Sequence, residues 1–297
     1  MLALTAVCLM LAGGFALFLS ASGHFLPQDV RFLGMDKDQL CAMNQCRIVH
    51  FMFHDRVSFG GALIAIGWLY LWLTEFPLKA GEAWAWWVFC LSGLTGFGSF
   101  LAYLGYGYLD SWHGVATLFL LPIYLLGMFI SWRSLRHKAG LSSLFKPAPS
   151  PVLGIPFGMG RALLLATGAG MMMGGTIILL VGMTHVFVPQ DLDYLGLTVR
   201  ELQLINPRLI PLIAHDRAGF GGAIATCGFI LFCCVWRGRP SRSLWQVTAL
   251  SGSIGFATAI GIHPIIGYMD FSHLLPAYIG AAMFFSGVSL CYKPMHA

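Results

Sequence analysis

Apolar residues run along this chain in eight stretches, at roughly 2–23, 57–75, 84–105, 112–132, 161–185, 218–236, 245–266 and 273–292, with the polar residues gathered between them. A helix needs about 20 mostly apolar residues to cross a bilayer. The pattern therefore predicts an all-α polytopic membrane protein with eight transmembrane helices. The first stretch has the length of a signal peptide, but no basic segment precedes it. It also has a full counterpart in the second half, so it reads as a helix that stays.

That counterpart belongs to a repeat. Gly13-Gly14 matches Gly174-Gly175, and Phe-x-Pro-Gln-Asp at Phe25–Asp29 matches Phe187–Asp191. His-Asp-Arg-x-x-Phe-Gly-Gly-Ala at His54–Ala62 matches His215–Ala223. Leu91–Gly93 matches Leu250–Gly252, and Gly-Tyr-x-Asp-x-x-His at Gly107–His113 matches Gly267–His273. The offset stays near 160 residues throughout, as a single duplication would leave it. The chain divides into a first four-helix membrane repeat (1–133), a cytoplasmic linker (134–160) and a second four-helix membrane repeat (161–297). Four is an even number, so both repeats enter the membrane in the same direction and are parallel, related by an axis along the membrane normal. The linker carries Lys146-Pro-Ala-Pro-Ser-Pro151, a loop composition. Between the first and second spans of each repeat, Asp36-x-x-Gln39 and Thr198-x-x-Glu201 read as capping boxes that open a short surface helix ending near Asn44 or Asn206. Pro27-Gln28-Asp29 and Pro189-Gln190-Asp191 set the turn before it.

Composition agrees: 58% of residues are hydrophobic and 10% charged, against about 25% charged in soluble domains. With a mean hydropathy of +0.77, this excludes a soluble enzyme, a disordered chain and a small disulfide scaffold. Of the 17 basic residues, ten fall on one side of the predicted membrane: Lys79, Arg133, Arg136, Lys138, Lys146, Arg161, Arg237, Arg239, Arg242 and Lys293. Only Glu75 and Glu82 accompany them. The positive-inside rule then puts both termini in the cytoplasm and the protein in the cell (inner) membrane. The basic balance is a topology signal and does not point to nucleic acid. Trp84, Trp86 and Trp87 read as an interfacial belt.

Candidate chemistry lies on the opposite, outer side, which holds His24, His50, His54, His113, His185, His215, His263 and His273. His54 and His215 open the second helix of each repeat; His113 and His273 open the fourth. Two imidazoles facing each other inside a bundle hold a haem iron axially. Each repeat would then hold one haem, through His54 and His113 in the first and His215 and His273 in the second. Ser58, Gly61 and Ala65, and Gly219, Gly222 and Thr226, form a small-residue face behind each second-helix histidine. That face suits either a flat macrocycle or close helix packing. Asp110 and Asp270 stand three residues before His113 and His273, as N-caps or as carboxylates that orient the imidazoles. Asp55-Arg56 and Asp216-Arg217 recur as ion pairs, or as carboxylates beside imidazoles and arginines for a propionate or other anion. His24 and His185 read as interfacial anchors, with proton relays or additional ligands as the alternatives. His50 and His263 have Pro211 and Tyr103 as counterparts, so neither is expected in a symmetric site. Cys41 and Cys46 lie in the first outer loop, as a disulfide, a redox pair or two free thiols. Nucleotide-binding and hydrolase signatures are absent from the sequence.

This layout resembles the haem A synthase family, across nearly the whole chain. Members of that family are duplicated four-helix units with eight spans, a histidine near the outer end of each even helix, and often a cysteine pair in the first outer loop. His54, His113, His215, His273, Cys41 and Cys46 stand at the matching positions. His-Asp-Arg at His54–Arg56 and His215–Arg217 is similar to the family's His-Arg step, with an aspartate inserted. Phe51 and Leu212 stand where the family has a glutamate. The resemblance thus implies haem binding in a duplicated bundle rather than oxidation of a haem methyl group. The leading expectation is a haem-binding oxidoreductase or electron-transfer protein, with a redox partner or quinone. The alternatives are a zinc or copper enzyme using His24, His54, Asp55, Asp110 and His113, and a transporter or structural subunit.

Overall fold

The computed structural model describes residues 1–101, 108, 111–135, 137–147 and 154–296. Asp110, Tyr103, Arg136, the end of the third apolar stretch and residues 148–153 of the linker lie outside them. Among the described residues there are twelve α-helices and no strand: α1 Leu2–Ser22, α2 Pro27–Leu33, α3 Lys37–Asn44, α4 Arg47–Leu73, α5 Ala83–Leu101, α6 Ser111–Ser134, α7 Gly154–Met183, α8 Pro189–Leu195, α9 Val199–Ile205, α10 Leu209–Arg237, α11 Arg242–Ile266 and α12 Phe271–His296. Seven of these are long and apolar enough to cross a membrane: α1, α4 with the π-helical turn after it, α6, α7, α10, α11 and α12. Their outer faces expose large apolar residues such as Leu11, Phe18, Leu118, Phe119, Ile155 and Ile265, as contact with lipid requires. An integral membrane protein fits this surface.

Helices α4 and α10 are the buried central pair, packed against each other. Small residues bring the outer helices onto them. A Cβ at Gly13 of α1 would meet the Gly60 carbonyl and one at Gly60 the Gly13 carbonyl; Gly175 and Gly221 repeat that reciprocal contact between α7 and α10. Backbones that close leave no room for a side chain. The main core fills the space between the long helices. A second core lies under a lid made by α2, α3, α8 and α9.

The lid helices begin where the capping boxes place them. Asp36 accepts from the Gln39 amide while Gln39 accepts from the Asp36 amide, and Thr198 and Glu201 do the same. The Thr198 amide and hydroxyl hold the exposed Glu201 carboxyl below its ordinary pKa. The two lids then reach across to each other. Asn44 donates to the Leu195 carbonyl (3.1 Å) and Asn206 to the Leu33 carbonyl (2.8 Å); Arg47 donates to the Tyr194 carbonyl and Arg208 to the Phe32 carbonyl. Cys41 and Cys46 form a disulfide, closed by a tight turn in which Gln45 and Cys46 both take positive φ.

Candidate functional site

Both His-Asp-Arg triplets lie on the central helices, directly beneath the lid. Consecutive residues on a helix point about 100° apart, so each triplet spreads three polar groups around one turn of α4 or α10. Burial forces each to find a partner. His54 Nδ1 is 2.8 Å from Asp55 Oδ1, and His215 Nδ1 is 3.0 Å from Asp216 Oδ1. The arginines cross between the halves. Arg56 donates to Asp216 and to Asp29, both at 2.8 Å. Arg217 donates to Asp55 at 3.4 Å, to Asp191, and to the Val186 carbonyl at 3.2 Å. Tyr108 donates to Asp29 and Tyr268 to Asp191 (2.8 Å). Burial and the neighbouring Asp191 push the Tyr268 hydroxyl far above its ordinary pKa. In this network four aspartates meet two guanidinium groups, so the carboxylates exceed the arginines by two formal charges.

The predicted ligands do not pair within each half. His113 Nδ1 lies 3.0 Å from His215 Nε2, with the rings stacked at 4.9 Å. His273 lies beside His54, with ring centroids 5.8 Å apart, and His263 Nε2 is 3.0 Å from His54 Nε2. The grouping of His54 with His113, and of His215 with His273, is therefore replaced by an exchange. The physical reason is helix packing. Helix α4 lies along α11 and α10 along α5, so each second helix meets the third helix of the other half. Gly61 and Gly222 are the contacts that permit this: a Cβ at Gly61 would collide with Thr258, and one at Gly222 with Ser99. Both glycines serve close packing and neither faces a cofactor space. Arg56 and Arg217 are likewise held by protein carboxylates, Arg217 buried and Arg56 half-buried, so neither makes a surface pair. Asp270 caps α12: the His273 main-chain N–H (2.7 Å) and the Ser272 hydroxyl donate to it, while the His273 ring meets the Tyr268 hydroxyl. Those two donors hold the exposed Asp270 carboxyl below its ordinary pKa. It does not orient the imidazole.

Between α1, α4, α5, α6 and α10 lies a cavity of about 510 Å³. Its walls are mainly apolar, and small residues shape two of them, Gly219, Ala223 and Thr226 along α10 and Gly93 and Gly96 along α5. One end carries His24, Arg56, His113 and Asp216. Thus Gly219 and Thr226 do face open space, while Gly222 beside them does not. His24 and His185 are both exposed; His24 stands at the cavity and His185 is not among its lining residues.

Sequence reasoning passed over His263, Asp29, Asp191, Tyr108 and Tyr268. The aspartates and tyrosines had a signal, since each recurs in the repeat. His263 had none, because its counterpart is Tyr103. No family model, no curated protein and no solved structure matches this chain.

Proposed function

We propose that this chain is a haem-binding integral membrane oxidoreductase or electron-transfer protein. It is built as two parallel four-helix repeats with eight spans and both termini in the cytoplasm of a cell-membrane protein. The reciprocal contacts of the lids, the glycines and the His-Asp-Arg triplets support the repeat. The observation that carries the haem reading is the cavity reached by His113. A carboxylate only accepts hydrogen bonds, so Asp216 places the proton of His215 on Nδ1 and leaves a lone pair on Nε2. That lone pair accepts from His113 Nδ1–H. The His113 lone pair then lies on Nε2, the tautomer that ligates iron, with its other nitrogen anchored through His215 to Asp216.

The residues present suit the group. About 510 Å³ falls within the range of roughly 300–1,000 Å³ typical of small-molecule and cofactor sites. The walls are apolar, and the polar end supplies His113 and His24 as the imidazoles that would hold the group. A bound haem supplies one-electron chemistry. The chain's own residues fix the imidazole tautomer and supply the apolar walls. The resemblance to haem A synthases in layout points the same way, with the ligand set moved from His54–His113 to the cavity.

The test is the absorption spectrum of the detergent-purified protein after haem-replete expression, oxidised and dithionite-reduced. A Soret band in the wild type, lost in His113→Ala and kept in His273→Ala, is expected. A haem-free wild type overturns the reading.

A further inference from the structure

We propose that His54, His263 and His273 form a second, non-haem metal site, which takes a divalent ion that favours imidazole, zinc or copper. It does not depend on the haem reading. The three residues come from α4, α11 and α12, and one ligand nitrogen of each lies within 4.8 Å of the other two. His54 and His263 are buried and His273 half-buried.

Two hydrogen bonds set the chemistry of the rings. Asp55 accepts at His54 Nδ1 (2.8 Å), so the neutral ring has its lone pair on Nε2. That atom faces His263 Nε2 at 3.0 Å. Tyr268 gives its single proton to Asp191. Its oxygen therefore accepts from His273 Nδ1, 3.2 Å away, and Nε2 is left as the metal-binding nitrogen of His273. A carboxylate behind one imidazole and a tyrosine–aspartate pair behind another are the supports that metal-binding histidines ordinarily have.

Charge favours a cation there. Asp55 and Asp191 share Arg217 on this side of the network, which leaves one negative charge in a buried place. A buried charge is costly until it is matched, and a divalent ion among three neutral imidazoles more than offsets it, the surplus positive charge falling to whatever ligand takes the open fourth position. Three nitrogen ligands leave the fourth position of a tetrahedral ion open, as in zinc sites that do chemistry. Imidazole suits zinc and copper alike. The rival occupant is a proton shared between His54 and His263, and it predicts no metal uptake.

The experiment uses the full chain in detergent. The protein is stripped with a chelator, given one equivalent of zinc chloride or copper sulfate, desalted, and its metal counted by mass spectrometry. The wild type is expected to keep about one ion per chain of one of these metals. His263→Tyr places the residue of the corresponding first-half position, and it should keep less than a tenth of that, as should His273→Gln. His113→Ala should keep the full amount, whether or not haem is bound. In the copper-loaded wild type, electron paramagnetic resonance should show nitrogen hyperfine splitting. Wild-type protein that retains less than a tenth of an equivalent of either metal overturns the proposal. So does full retention by monodisperse His263→Tyr or His273→Gln. Should both variants misfold, the wild-type stoichiometry and nitrogen splitting decide it.

Discussion

The two halves of this molecule carry the same polar framework and end it differently. In both, an aspartate anchors the imidazole before it, an arginine crosses to the other half, and a tyrosine meets the aspartate that opens the lid. From there they part. On one side, His215 passes its hydrogen bond to His113 at the end of a large apolar cavity. On the other, His54 faces His263, with His273 close by. A framework that must be satisfied in full tolerates little change, because each buried partner removed leaves another unpaired. The positions at its ends are free of that constraint. Two different ends on one shared polar framework are what that difference in constraint permits.

The strongest way to break the comparison is to remove an arginine. The Arg217 side chain is 5% exposed and the Arg56 side chain 15%. Arg217→Met leaves Asp55 and Asp191 buried without their cation, which costs about 3–5 kcal/mol. Arg56→Met strands Asp29 and Asp216, but Asp216 borders the cavity, where water can reach it. We expect little folded Arg217→Met protein on gel filtration in detergent, and a larger folded fraction of Arg56→Met. Equal loss in both would show that the halves are energetically the same.

The next test separates two glycines on one helix. A Cβ at Gly219 has only Phe59 nearby, at 3.9 Å, whereas one at Gly222 collides with Ser99. Gly219→Leu should fill cavity space, lower haem content several-fold and leave the thermal midpoint nearly unchanged. Gly222→Leu should do the reverse in kind, with overpacking costing about 1–3 kcal/mol. Gly61→Leu should resemble Gly222→Leu, since Thr258 stands over it as Ser99 stands over Gly222.

Much of the helical layout and part of the site were legible beforehand, for separable reasons. Helices of this length announce themselves by hydropathy, and the capping boxes by local spacing. The repeat brought out both His-Asp-Arg triplets. What stayed hidden was which helix meets which. Periodicity ranks the faces of α4 but does not say that α11 will lie against one of them, so His54 and His113 were grouped by chain proximity. Asp29 and Asp191 read as turn residues because Pro-Gln-Asp already has a local explanation. They also cap α2 and α8, and a residue with one sufficient role gives no hint of its second. His263 breaks the symmetry, so the repeat does not point to it, and the same break is why the two ends differ.

A smaller asymmetry sits in the lids. Only the first half has a cysteine pair, and it closes a short turn. In the chain-entropy account, a loop of that length stabilises by about 2 kcal/mol. Cys41→Ser together with Cys46→Ser should lower the thermal midpoint modestly and speed hydrogen exchange in α3, with α9 unaffected. Exchange rising equally in both lids would mean that the cross-lid bonds of Asn44 and Asn206 couple them into one unit.

The smallest effect belongs to the helix cap at Asp270. Its carboxyl is held below its ordinary pKa by donors from Ser272 and from the His273 main chain. A group lowered on folding contributes stability above its unfolded pKa and loses it as pH falls through the lowered value. The cap should therefore hold at neutral pH and fade only in acid, below the usual aspartate range. Asp270→Asn keeps an acceptor for the His273 amide, since asparagine caps about as well as aspartate, and it has no carboxyl to titrate. Wild type and variant should thus have nearly equal thermal midpoints at pH 7, and the acid limb of stability should be slightly flatter in the variant. Metal content should match in the two if Asp270 only caps. Loss of the ion in Asp270→Asn would mean that the cap also fixes the position of His273, tying the end of α12 to the second site as His215 ties α6 to the first.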